Sequence, residues 1–436
     1  MTFDKLFQLA KSKGIEDIQV YYASATDFNI EVMHGDLEDY TISDTSRLLV
    51  KGIYNGKMGT VSTETINEDI FPFLVDSVIA SANAITSEDE VFIYEGDKEY
   101  PDVHDLYNPS LDEVDAAQKI ADAKRLEELI KAKDERIVMV QAMYGDGKNV
   151  VRIENSKGLR LKKEVNSGFL GAMIIASDGK DQRTAMEYKL TNDYNDFDLE
   201  QMATDGVKKA TSLLGSSPVP SGRYEILLQN TASCSLLSPH ISMFSAESVQ
   251  KNVSLLKGKV GEVIGNELIT LVDDPFLPKS SRSGAFDDEG VATRYKKLID
   301  QGTLTGYLHN LKTAKIDNTK STGNGFGSIR PTNFYFKAGT TSFDDAVRSM
   351  KKGLIITQLD GTHAGCSPIS GDFSLQASGF LVEDGEIVRP VNLITVAGNY
   401  LTLLQDVTAV CDDLKFNFGF VGSPSLKIAS LQVSGT

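Results

Sequence analysis

The sequence predicts an α+β fold, with helices and antiparallel hairpins in an N-terminal unit and a β-rich C-terminal unit. Three observations carry this. Segments of helical period alternate with groups of strand-like runs, in the order helix, hairpins, helix, hairpins, through residue 215. Residues 216–222, Ser-Ser-Pro-Val-Pro-Ser-Gly, suit neither helix nor strand and read as a linker. Beyond them, residues 223–436 are mostly short β-like runs broken by glycine turns. The expected domains are therefore 1–215 and 223–436.

In chain order, Phe3, Leu6, Phe7 and Ala10 fall at helical spacing and Gly14 stops the run. Strand-like runs follow at 17–23, 28–33, 47–54 and 57–61, and Asn55-Gly56 between apolar runs is a strong hairpin signal. Residues 67–85 return to helical period, with Pro72 tolerated in the first turn. A polar connection over 87–110 leads to a charged helix at 111–131. Strands are then expected at 136–143, 148–154, 158–165, 168–177 and 183–190, and a helix at 198–214. The repeated order points to internal duplication of an antiparallel unit. After the linker come a strand at 223–229, a helix at 232–256 and a helical segment at 343–350.

The formal net charge of −17 over 436 residues disfavours a broad basic face for nucleic acid or anionic lipid. Cys234, Cys366 and Cys411 are widely spaced, which fits neither a disulfide framework nor a zinc knuckle and suits a reducing compartment. No apolar run is long enough to span a bilayer, and residues 1–7 lack a signal-peptide core. A cytoplasmic location is expected.

Residues 261–325 combine an apolar run (268–272), a Pro- and Ser-rich loop and the acidic turn Phe286-Asp287-Asp288-Glu289-Gly290-Val291. A long loop of this composition is expected to serve function rather than the core. Consecutive carboxylates diverge, so Asp287, Asp288 and Glu289 are expected in a solvated turn that shapes a peptide groove or subunit contact, with Arg282 and Arg294 as ordinary ion-pair partners.

Asp273-Asp274-Pro275, the acidic turn, Leu298 to Leu308 and Ser321-Thr322-Gly323-Asn324-Gly325, in this order, resemble the TldD/PmbA family, long labelled modulator of DNA gyrase. The resemblance implies a family of zinc metalloproteases and metal-free partner subunits. In its metal-bearing members a helix after the linker carries H-E-x-x-x-H, and a cysteine ligand lies in a Gly-rich loop near the C-terminus. Aligned on Leu236-Leu237, this chain has Ser238 and Met243 at the histidine positions and Pro239 at the glutamate. Serine is not a usual zinc ligand, methionine prefers softer ions, and proline cannot act as a base. Ser238 and Pro239 are read instead as the cap and first residue of a helix, over a packed Met243.

The loop before Gly422-Ser423-Pro424-Ser425-Leu426-Lys427 contains no Cys, His or carboxylate over 417–421, and Cys411 reads as a buried hydrophobe. The stretch from Ser370 to Asn399 is similar to the PmbA (TldE) branch, which lacks the zinc motif. The resemblance thus implies a non-catalytic subunit that binds no cofactor itself. Its partner would be a TldD-like chain holding zinc and acting on unfolded peptides, with this chain also able to pair with itself. Two alternatives remain open at this stage. One is an independent peptidase, using a displaced metal site of His240, His363 and Cys366 or a Cys366 nucleophile beside His363. The other is a self-associating binding protein with no protease partner.

Overall fold

The computed structural model describes residues 2–87 and 90–436. Positions 88 and 89 of the predicted polar connection lie outside the described residues. The first half is built on one antiparallel sheet: β1 (Ile18–Met33), β2 (Asp36–Tyr54), β3 (Lys57–Thr63), β4 (Ile137–Asn155), β5 (Arg160–Ser177) and β6 (Gln182–Thr191). Its order is β3-β2-β1-β4-β5-β6. Two three-stranded meanders run outward from the central β1–β4 pair, so the topology itself repeats in the way the duplicated pattern predicts.

Alternation decides which face is buried. Val20, Ile30 and Val32 of β1 point to the helical face. There α1 (Asp4–Ser12) and α2 (Phe71–Ala84) cover one half, packing Leu6, Phe7, Leu74 and Val78 against Val20, Leu48 and Val50. A short α3 (Ser110–Glu113) precedes α4 (Ala116–Lys133), which with α5 (Leu199–Ser212) covers the other half through Leu126, Ile130 and Met202.

The strands are longer than the sequence predicts. Pairs of runs expected as separate strands fuse, and Gly145-Asp146-Gly147 lies inside β4 instead of forming a turn. A Cβ at Gly145 would stand 2.5 Å from Asn29 Oδ1, and one at Gly147 would stand 2.6 Å from Asp27 Oδ1. These glycines are therefore clearance for neighbouring β1 side chains, not punctuation. The true turns are His34-Gly35 and Asn55-Gly56, with all four residues at positive φ, as tight hairpins of this twist require.

Residues 216–221 are irregular but tied down: Arg389 donates to the Ser217 and Pro218 carbonyls, and Thr436 N–H donates to Val219 O. The second half contains two six-stranded sheets. One runs Glu386–Asn399, Asp372–Glu383, Lys352–Asp360, Gly222–Leu228, Leu426–Ser434 and Val407–Val410. The other runs Thr303–Leu304, Lys296–Asp300, Leu271–Asp273, Phe334–Phe336, Val421–Ser423 and Lys415–Asn417. One large core, including Ile226, Leu237, Phe244, Leu271, Phe334, Ile356 and Tyr400, joins them. Helix α6 (Asn230–His240) lies within this half and ends well before the predicted residue 256.

Candidate functional site

The acidic turn is drawn into the protein, with Asp287 buried and Asp288 and Glu289 half-buried, which corrects the expectation of a solvated loop. Gly290 at φ +86 closes it, donating to Asp287 O at 3.0 Å, and a Cβ there would stand 2.9 Å from Leu159 Cδ2. Phe286 packs with Ile153 and Leu159 on the face of the first sheet opposite its helices. The two halves of the chain meet at this turn.

Its three carboxylates diverge, as consecutive side chains must, and each finds its own partners. Asp287 is 1% exposed. Its Oδ1 accepts from Glu289 N at 3.0 Å and Val291 N at 2.9 Å, and its Oδ2 accepts from Gly325 N at 2.8 Å. Burial pushes this carboxyl up to about 7, against the pull of those N–H groups. Asp288 accepts from Tyr21 OH of β1 at 3.1 Å, and Glu289 accepts from Leu311 N at 2.7 Å. Burial raises both of these acids as well, and it lowers Lys163 of β5, which faces Asp288.

The segments that carried the resemblance converge here. Asp288 N donates to Gly325 O at 3.0 Å, while the adjacent Asn324 donates to Asp273 Oδ2 at 2.7 Å. Asp273 is fully buried and also holds Lys296 Nζ at 2.7 Å, Thr332 N at 2.7 Å and Thr332 Oγ1 at 2.6 Å. Every Asp273 oxygen is thus occupied by protein donors. The flanking arginines serve elsewhere: Arg294 donates to Ser321 O, and Arg282 lies over the Phe420 ring at 4.8 Å. Residues 261–325 therefore contribute to the core, contrary to their composition.

Around α6 the candidate ligands separate. Pro239 lies at the C-terminal end of the helix, not its start, so Ser238 and Pro239 are not a cap and first residue. A proline N cannot continue the ladder, and the chain tightens into a 3₁₀ turn at Ile241–Phe244. Ser238 is exposed, Pro239 is half-buried and Met243 is buried in the core as expected. His240 is fully buried; its Nδ1 is 2.8 Å from Leu236 O and its ring stacks on Tyr400 with centroids 4.1 Å apart. Burial lowers its basicity.

His363 is exposed on the short helix Thr362–Gly365. Cys366 is half-buried against the core that includes Tyr400, while His363 stands outside it. Sequence reasoning missed Tyr400, whose only local signal is the Asn399 cap preceding it. Burial raises the Cys366 thiol and pushes Cys234 up to about 12. Cys411 is fully buried, as expected.

The loop before residue 422 is a second meeting point of the halves. Phe418 stacks on Tyr188 of β6 at 4.8 Å, and Tyr188 OH donates to Asn417 Oδ1 at 2.6 Å.

Residues 221–435 match the PmbA/TldA metallopeptidase C-terminal domain, and residues 109–214 match the PmbA/TldA metallopeptidase central domain. A solved Thermotoga maritima protein described as a modulator of a DNA gyrase is 37% identical, with TM-score 0.93 over 99% of both chains. The chain belongs to the PmbA/TldD family. It is also 26% identical to the metalloprotease PmbA of Escherichia coli O157:H7, over 97% of this chain and 94% of that protein. TldE from Thermococcus kodakarensis shares the fold at 24% identity, with TM-score 0.91 over 99% of this chain and all of that one.

The family's metallopeptidase character raises the question of zinc. Exposed Ser238, half-buried Pro239, buried Met243 and a stacked His240 do not fit that ion, which needs three or four converging N, O or S ligands. Among the described residues, no group of three or more His, Cys, Asp and Glu is arranged to hold a metal ion. Likewise, no described helix is long and apolar enough to cross a membrane.

Proposed function

We propose that this chain is a non-catalytic, metal-free subunit of PmbA/TldE type, acting in peptide proteolysis in the cytoplasm beside a TldD-like chain that holds zinc. The reading is carried by Ser238 and Met243 standing where the resemblance puts the two zinc-ligating histidines and Pro239 where it puts the base, with the adjacent His240 stacked on Tyr400. A hydrolytic zinc site requires neutral imidazoles and a carboxylate base aimed at one bound water. This helix offers a single imidazole, His240, which is stacked on Tyr400, and no carboxylate.

Independent catalysis by Cys366 and His363 is disfavoured. A nucleophilic cysteine needs a lowered thiol pKa and a base within hydrogen-bond reach, whereas burial raises Cys366 and His363 is exposed. The role that remains is to shape the complex and present polypeptide to the partner. Mixing purified chain with a TldD-like protein and an unfolded polypeptide tests this: cleavage only in the mixture supports the reading, and cleavage by this chain alone refutes it.

A further inference from the structure

Strand β3 pairs with β2 only from Leu48↔Thr63 to Tyr54↔Lys57. Residues 36–47 of β2 therefore bond to β1 on one side and form an open sheet edge on the other. A cleft of about 400 Å³ lined by Arg47, Ser62, Thr63 and Glu64 marks where β3 leaves, in line with the vacant strand position. Such an edge offers a row of outward N–H and C=O groups to an added strand.

Its side chains define the strand that fits. On the helical face Leu37, Tyr40 and Ile42 are 40%, 47% and 66% exposed, and Phe28 lies edge-on to Tyr40 at 5.5 Å. On the opposite face Asp39 pairs across the hairpin with Glu31, and with Asp27 both line a shallow cleft of about 370 Å³ floored by Gly145 and Gly147. The segment itself carries Asp36, Glu38, Asp39 and Asp44 against Arg47. Pairing this edge with a second copy would bring acidic strands together, which is unfavourable. Charge and pattern instead favour a strand apolar at one parity and basic at the other.

We infer that residues 36–47 are a docking edge for an extended polypeptide segment alternating apolar residues with lysine or arginine. This rests on the proposed role in peptide handling for its purpose, but its test involves no proteolysis, so either reading can fail alone. The probe is a fluorescent peptide of about ten residues alternating valine and lysine, matched to the edge length. Its binding to the full chain is measured by anisotropy, together with amide exchange over 36–47.

The expected result is saturable binding that slows exchange over 36–47. The double change Asp36→Lys with Asp39→Lys, both exposed and both on the face opposite Tyr40 and Ile42, should weaken binding roughly tenfold and let a valine–glutamate peptide bind instead. Absent binding, binding unchanged by the charge reversal, or exchange elsewhere being slowed would overturn the inference. So would concentration-dependent protection of 36–47 without peptide, since a second copy would then be the occupant.

Discussion

The rings of His240 and Tyr400 stack 4° from parallel with centroids 4.1 Å apart, and among the described residues neither His240 Nε2 nor Tyr400 Oη has a hydrogen-bond partner. This makes the end of α6 a packing element. Replacing His240 by alanine should cost about 3 kcal/mol in chemical denaturation, from the lost buried ring and its stacking. Tyr400→Phe removes a buried hydroxyl without a partner and should be neutral or stabilising. A Tyr400→Phe variant losing more than about 1 kcal/mol would show that the hydroxyl is satisfied in solution.

Asp287 gives a signed pH dependence. Its folded pKa, about 7, lies above the ordinary 3.8. Folded chain therefore holds a proton that unfolded chain releases between these values, so this group's contribution to stability is full below about pH 4 and is lost as pH rises through about 7. Melting temperatures of the native chain and Asp287→Asn, compared from pH 4 to 8, should show the native chain losing ground relative to the variant over that window, then running parallel. Parallel curves throughout would contradict the assignment.

The buried pair Asp273–Lys296 should be intolerant of losing one partner. Lys296→Ala leaves a fully buried carboxylate facing only Asn324 and Thr332, and should destabilise by on the order of 3–5 kcal/mol. Denaturant titration measures this, and a loss below about 1 kcal/mol would mean that the site opens to water.

Gly290 should resist substitution for two reasons, its φ of +86 and the 2.9 Å approach that a Cβ would make to Leu159. Gly290→Ala is expected to cost on the order of 1–3 kcal/mol and to loosen the contact between the halves. Faster proteolytic cleavage within 274–295 would report the loosening; an unchanged digestion pattern would argue against it.

The fold class was legible because period-2 and helical spacing survive in the buried faces, as Val20, Ile30 and Val32 or Leu6, Phe7 and Ala10 show. Strand lengths were not, since the strand-like runs break over 144–147, where Gly145 and Gly147 serve as clearance for Asn29 and Asp27. The unsuitability of Ser238, Pro239 and Met243 for zinc was visible from residue chemistry alone. The burial of Asp287 and half-burial of Asp288 and Glu289 were not, because their donors Val291, Gly325, Tyr21 and Leu311 are brought in by three other chain segments as well as the turn itself. Tyr400 was hidden for a similar reason: its partner His240 is distant in sequence.

The most direct test of the account is the zinc content of the chain, purified without a metal-affinity tag and washed with a weak chelator, read beside peptidase activity. The account predicts zinc far below one per chain, and cleavage of an unfolded polypeptide only when a TldD-like chain is added. About one zinc per chain surviving the wash, as a closed site would retain it, together with activity of the chain alone, would contradict it.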